Sequence, residues 1–264
     1  YEAQDLLKKY QDELGIEMVP FKFMVFVPKS RKYKAIDDVV DGEEYKTLSG
    51  TELRQILDEG REIPEWFTFK SVADELELSN PALTKRGLTI FFTGLSGSGK
   101  STLANGLVTR FLEEGSRPVT LLDGDIVRTH LSSELGFSKE HRSINIKRIG
   151  YVASEITKNS GVAICAPIAP YEEDRAYNRR LISNEGGYIE IFVNTPLEKC
   201  EERDSKGLYA LAREGKIEEF TGISDPYEEP TNAEIVLNSS GESPEKLVNL
   251  IYDKIVDMGY VRRI

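Results

Sequence analysis

Nine consecutive residues, Gly94-Leu95-Ser96-Gly97-Ser98-Gly99-Lys100-Ser101-Thr102, combine the backbone freedom and side chains needed to hold a polyphosphate. Two glycines five apart, then Lys, then a hydroxyl residue fill every fixed position of a phosphate-binding loop. Glycine lets the backbone curl until successive N–H groups face one anion, and a helix starting there adds the positive end of its macrodipole. The spacing lets Lys100 reach the β and γ phosphates and offers the Ser101 hydroxyl to Mg²⁺. Gly94, Ser96, Gly97, Ser98, Gly99, Lys100, Ser101 and Thr102 are therefore the candidate donor-binding set.

A second group lies downstream. Pro118-Val119-Thr120-Leu121-Leu122 reads as a strand ending in Asp123-Gly124-Asp125, and a carboxylate at the carboxyl end of a strand in an α/β sheet sits where such folds bind ligands. Asp123 is placed to accept a proton from an attacking hydroxyl or to hold Mg²⁺. Asp125 reads better as a helix N-cap. The chain gathers Arg128, Arg142, Arg148, Arg175, Arg179 and Arg180 over a short stretch. Arg142, Asn145 and Arg148, three apart on a predicted helix, share a face that could converge on one ligand. Arg203 to Ile223, with its glycine hinges, Lys206 and Phe220, suits a lid over a nucleotide, against the plainer reading of surface helix and loop.

The elements that must carry these groups are legible as strands alternating with helices. Leu88–Phe92, residues 118–122, Val162–Ala166, residues 188–193 and residues 233–237 read as five strands. Helical spacing follows the glycine loop through Leu103, Ala104, Leu107 and Phe111, and recurs from about His141 to Ser160, around Arg175 and Arg179, and over Leu247 to Ile255. The fold class is α/β: a parallel five-stranded sheet covered by helices on both faces, preceded by a small α+β segment. That segment, residues 1–79, has an amphipathic stripe at Leu6, Leu7, Tyr10 and Leu14, a strand over Phe21 to Val27, and a helix over Gly50 to Leu57 stopped near Gly60. It contains no His and no Cys. Residues 80–87, broken by Pro81 and Gly87, read as linker, and residues 88–264 as the second domain.

Composition narrows the class. With 39% hydrophobic and 30% charged residues, the 264-residue chain is expected to fold as a soluble protein. A formal charge of −11 argues against general nucleic-acid binding. Only two cysteines occur, so no disulfide framework is indicated. No membrane span or signal segment is found, a cytoplasmic location is expected, and a start at Tyr1 inside a helical pattern suggests a piece of something longer.

From Gly87 onward the chain resembles adenylyl-sulfate (APS) kinase, a P-loop NTPase-type kinase. The resemblance rests on Gly94 to Thr102, Asp123-Gly124-Asp125 with Arg128, Gly136-Phe137-Ser138, Arg142 with Asn145, Pro170-Tyr171, Asn194 to Leu197, Lys206 to Tyr209 and Phe220 to Ile223. It implies ATP-dependent phosphorylation of the 3′-hydroxyl of adenosine 5′-phosphosulfate. Asp123 and Lys100 would be catalytic, and Ser101 and Asp123 would serve the metal. Arg128, Phe137, Arg142, Asn145, Ile168, Lys206 and Phe220 would bind the acceptor, the two aromatics sandwiching its adenine. A homo-oligomer, a dimer, is expected.

Residues 1–79 resemble the C-terminal end of the ATP sulfurylase core, through Tyr1 to Gln4, Met18 to Phe21, Ser49 to Arg54 and Gly60 to Phe67. That family's nucleotide-binding motifs lie upstream, so the resemblance implies a missing upstream sulfurylase domain and no sulfurylase activity from this chain alone. Two positions depart from the kinase pattern: Ala169 stands where Ser is frequent, and His141 where Asp is common. The alternatives are a catalytically inactive nucleotide-binding regulatory domain, disfavoured by the retained Lys100, Ser101, Asp123 and Lys206, and a P-loop kinase for a sugar or shikimate-like acceptor.

Overall fold

The computed structural model describes residues 2–115, 117–204 and 206–262. It divides into two compact units, Tyr1–Asn80 and Pro81–Ile264. In the first, α1 (Glu2–Leu14) precedes an antiparallel hairpin of β1 (Met24–Val27) and β2 (Lys32–Ala35), followed by α2 (Gly50–Glu59) and α3 (Lys70–Ser79). Local chemistry bounds α2: the Ser49 side chain accepts from the Glu52 N–H, the Glu52 carboxylate accepts from the Ser49 N–H, and Gly60 ends the helix at φ 66°. Ile56 and Leu57 pack with Ile63 into a small core. Elsewhere the expectations are met only in part. The α1 helix forms, but its stripe of Leu6, Leu7, Tyr10 and Leu14 stays 41–60% exposed. The strand expected from Phe21 begins at Met24, with Phe21 and Phe23 exposed.

The second unit runs β3 (Leu88–Thr93), α4 (Lys100–Glu114), β4 (Val119–Asp123), α5 (Gly124–His130), α6 (Lys139–Lys158), β5 (Val162–Ala166), α7 (Glu172–Ser183), β6 (Gly187–Val193), α8 (Leu197–Arg203), α9 (Leu208–Arg213), β7 (Ile235–Leu237) and α10 (Pro244–Asp257). The strand order is β4-β5-β3-β6-β7, with every pair parallel. Parallel strands buried on both faces need continuous apolar runs, and β3, β5 and β6 are buried at every position. Alternation then sorts the side chains. Leu88, Ile90 and Phe92 join α4 and α10 in one core, while Phe91, Ala163 and Cys165 join α6 and α7 in the other. The five-stranded α/β architecture is as expected from the sequence.

Of residues 80–87, expected as linker, 81–87 belong to the second unit. Ala82 is buried, its carbonyl accepts from the Lys85 N–H at 2.8 Å, and the Gly87 carbonyl accepts from the Gly187 N–H at 2.9 Å. A Cβ on Gly87 would stand 1.8 Å from the Thr157 carbonyl oxygen. The glycine that looked like slack is a close backbone crossing.

Candidate active site

β3 delivers the chain to Gly94 and α4 takes it up at Lys100. Between them Gly94, Gly97 and Gly99 adopt φ of 144°, 72° and 105°, and a Cβ on Gly97 would meet the Cys200 carbonyl at 3.0 Å. The loop is braced through its carbonyls. Thr195 Oγ1 and Ser239 Oγ donate to the Ser98 oxygen at 3.0 and 2.5 Å, Arg203 Nη1 to that of Gly97 at 3.1 Å, and the Tyr209 hydroxyl to that of Ser96 at 2.9 Å. With those oxygens occupied, the loop and the first turn of α4 form one wall of a cleft of about 1070 Å³. Lys100 is buried and donates to the Leu95 carbonyl at 2.7 Å and to Ser98 Oγ at 3.3 Å. Burial pulls its pKa from 10.5 to about 8, against the opposing pull of Cys200 and Asp123. An ammonium held by neutral oxygens in this way is short of negative charge.

Asp123 ends β4 and does two things at once. Oδ1 accepts from the Asp125 N–H at 3.0 Å, making Asp123 the N-cap of α5, and Oδ2 accepts from Ser101 Oγ at 2.8 Å. The cap expected of Asp125 therefore belongs to Asp123. Asp125 instead forms an ion pair with Lys206. Both residues line the cleft.

The facing wall comes from α5, α6 and the segment after β5. Arg128 donates to the Gly136 carbonyl at 3.0 Å and stacks on Phe137 at 4.4 Å. Its pKa is held below the usual guanidinium range by burial and by the charge of Arg142. Arg142 and Asn145 are both buried, and Asn145 Oδ1 and Arg142 Nε and Nη2 have no hydrogen-bond partner. Ile168 completes this wall, and Phe220, packed edge-on against Tyr209 at 5.0 Å, closes one end. Ala169 is fully buried at φ 47°, its carbonyl held by Arg175 Nη1 at 2.7 Å. His141 Nδ1 accepts from the Gly136 N–H at 2.9 Å, so it braces the turn before Phe137.

Every residue singled out for the site lines this cleft except Gly94 and Ser98, which are buried within the loop. The wider arginine group separates. Arg148 does not converge with Arg142 and Asn145, because two steps of three residues turn a helix face by about 120°. It is held by the Leu131 carbonyl at 2.7 Å and Glu134 at 2.6 Å. Arg175 is fully buried among the Ala169 and Glu228 carbonyls and Glu172, and Arg179 forks onto Glu234 at 2.5 and 2.9 Å. Arg180 is exposed. The expected lid, Arg203 to Ile223, runs from the end of α8 through α9 to the turn at Phe220, and its Ser205 lies outside the described residues. Sequence reasoning passed over Arg203, Tyr209 and Ser239 as loop braces and Asp225 as the partner of Arg142 at 2.9 Å. Arg203 and Tyr209 lay in the stretch expected as a lid, while Ser239 and Asp225 belong to no local pattern that marks them.

A glycine loop between the central strand and first helix of a parallel sheet, opening on a cleft with facing guanidinium groups, defines a P-loop kinase-type nucleotide-binding protein. The chain belongs to the adenylylsulphate kinase family, whose model matches residues 86–238, and residues 1–78, the N-terminal part, match the ATP-sulfurylase family. It is 48% identical over 254 residues to a sulfate adenylyltransferase of Mycosarcoma maydis and 45% identical over 263 residues to one of Aspergillus oryzae. These alignments cover 95% and 100% of this chain but 44% and 46% of those proteins, so the chain spans under half their length. Among solved structures it is similar to a hexameric APS kinase from Thiobacillus denitrificans, with TM-score 0.77 and 40% identity, covering 98% of this chain and 46% of that one. It is also similar to the Mycobacterium tuberculosis APS kinase in complex with AMPPNP and APS, with TM-score 0.62 and 39% identity, covering 65% of this chain and 98% of that one.

Proposed function

We propose that the second unit transfers the γ-phosphoryl group of ATP to the 3′-hydroxyl of adenosine 5′-phosphosulfate. The observation that carries this reading is one cleft with a charge-starved Lys100 on one wall and two mutually repelling guanidinium groups on the other, with Asp123 lining the same space. Two polyanions, a donor and an acceptor, satisfy that arrangement.

Loop amides and Lys100 hold the donor phosphates, a preorganised cradle that stabilises charge as it shifts toward the leaving group. Arg128 and Arg142 hold the phosphosulfate through planar paired hydrogen bonds, and Asn145 supplies a further polar contact. Phe137 and Phe220 stack on the acceptor base. Asp123 Oδ2 accepts the proton of the attacking hydroxyl. Ser101 and Asp123, 2.8 Å apart, are hard oxygen donors that fit Mg²⁺, which would neutralise phosphate charge when bound with the nucleotide. Lys206 and α9 shut the cleft from water.

We further propose that residues 1–78 correspond to the C-terminal end of a sulfurylase core, and that this chain alone does not make adenylyl sulfate from ATP and sulfate. The test is ADP release by the purified chain with ATP, Mg²⁺ and adenylyl sulfate, compared with sugar and shikimate acceptors. Turnover with adenylyl sulfate alone is expected. No turnover above background favours a regulatory nucleotide-binding domain, and equal use of a sugar overturns the acceptor assignment. Pyrophosphate release from ATP and sulfate would overturn the reading of the first unit.

A further inference from the structure

Arg142 is immobilised before any ligand arrives. Thr221 Oγ1 accepts from Nη1 at 2.8 Å, Asp225 Oδ2 lies 2.9 Å from Nη2, and the Tyr171 ring lies 5.3 Å from the guanidinium carbon. Nε and Nη2 make no hydrogen bond, and Nη2 meets Asp225 as an ion pair only. Asp225 itself does not line the cleft. Its carboxylate is pinned by the Tyr171 hydroxyl at 2.8 Å, and its backbone closes a tight turn in which the N–H groups of Ile223, Ser224 and Asp225 converge on the Phe220 carbonyl. Gly222 N–H donates to the Asp225 carbonyl at 2.7 Å, completing the turn. One turn thus carries Phe220 into the cleft at its start and sets a carboxylate on Arg142 at its end.

We propose that Asp225 is a positioning residue for acceptor recognition: it offsets the repulsion between Arg142 and Arg128 and fixes the Arg142 guanidinium at the cleft wall where the acceptor's anionic group binds. The inference rests on the acceptor assignment made above. Without the carboxylate, Arg142 keeps one hydrogen bond and is free to swing from Arg128, so ordering it falls to the ligand. Groups in one charged network couple strongly enough to change affinity by roughly tenfold.

The experiment is calorimetric titration of the full chain with adenylyl sulfate in the presence of ADP and Mg²⁺, for wild type, Asp225→Asn, Arg142→Lys and the double variant. Asp225→Asn is expected to weaken adenylyl sulfate about tenfold while ADP affinity stays within about twofold, and to add little once Arg142 is Lys. Tyr171→Phe, which loosens Asp225 but keeps its charge, is expected to weaken adenylyl sulfate in the same direction by less, and it decides the matter if Asp225→Asn does not fold. Equal weakening of ADP and adenylyl sulfate, or full additivity with Arg142→Lys, overturns the positioning role. Wild type that binds ADP but no adenylyl sulfate overturns the acceptor assignment instead.

Discussion

Replacing Lys100 by Met is expected to stabilise the ligand-free protein while removing its response to nucleotide. Each tenfold change in proton affinity corresponds to about 1.4 kcal/mol, so lowering Lys100 from 10.5 to about 8 means that the fold holds the charged form at a cost of about 3 kcal/mol. Methionine removes that cost but also the bonds to the Leu95 carbonyl and Ser98 Oγ, each worth about 1 kcal/mol. The net gain is about 1 kcal/mol, or a rise of about 2–4 °C in the midpoint of a unit of this size. The sign with pH follows from the lowered value. Below pH 8 folded and unfolded chains both carry the proton and the full cost is present. Between pH 8 and 10.5 the folded chain releases it while the unfolded chain keeps it, so wild-type stability climbs with pH and passes that of Lys100→Met, because the neutral amine keeps its bonds to Leu95 and Ser98. Nucleotide affinity of the wild type falls over the same window, because phosphate binds the ammonium form. Scanning calorimetry is the suitable assay, because the single tryptophan, Trp66, lies in the first unit and its fluorescence would follow the wrong transition. A ligand-free midpoint several degrees lower for Lys100→Met, or a difference between the proteins that does not narrow above pH 8, refutes the reasoning.

Two further substitutions separate chemistry from packing. Asp123→Asn retains an oxygen for the Asp125 N–H, so the cap survives, and kcat is expected to fall by about 100-fold or more while ATP affinity changes little. Equal losses in both would mark Asp123 as a metal or structural residue. Gly150→Ala places a methyl 2.0 Å from buried Asn178 Oδ1, where α6 and α7 cross and Asn178 donates to the Ile146 carbonyl at 2.9 Å. A loss of about 1–3 kcal/mol in urea unfolding is expected, and an unshifted midpoint would show that the helices can part without cost.

The sheet was legible because its strands are buried on both faces. Leu88 to Phe92 and Val162 to Ala166 are continuous apolar runs, and no polar face had to be guessed. The phosphate loop was legible because its φ values require glycine at fixed positions. The hairpin strand β2 and the helix α3 were not, because β2 exposes two of its four residues and α3 has no side-chain cap at Phe69. Position 123 shows a different limit: one carboxylate has two oxygens, and capping and ligand-facing roles that looked like alternatives are held together.

The arginines show why a candidate site cannot be read to completion from spacing. Arg142 and Arg175 are both buried on helices near the same loop, and sequence offers no ground for ranking them. What separates them is the oxygens brought to them by distant segments. Arg175 meets the Ala169 and Glu228 carbonyls and Glu172, with Glu190 at 3.5 Å, so its charge and its Nη donors are engaged within the protein. Arg142 receives one hydroxyl and one carboxylate, and stands beside Arg128, which nothing among its hydrogen bonds neutralises. Arg142 has Asp225 for its charge, and Arg128 feels Asp125 against burial and the charge of Arg142. Where Asp225 and Glu228 fall in the tertiary structure thus leaves Arg142 at the cleft wall and makes Arg175 a buried strut.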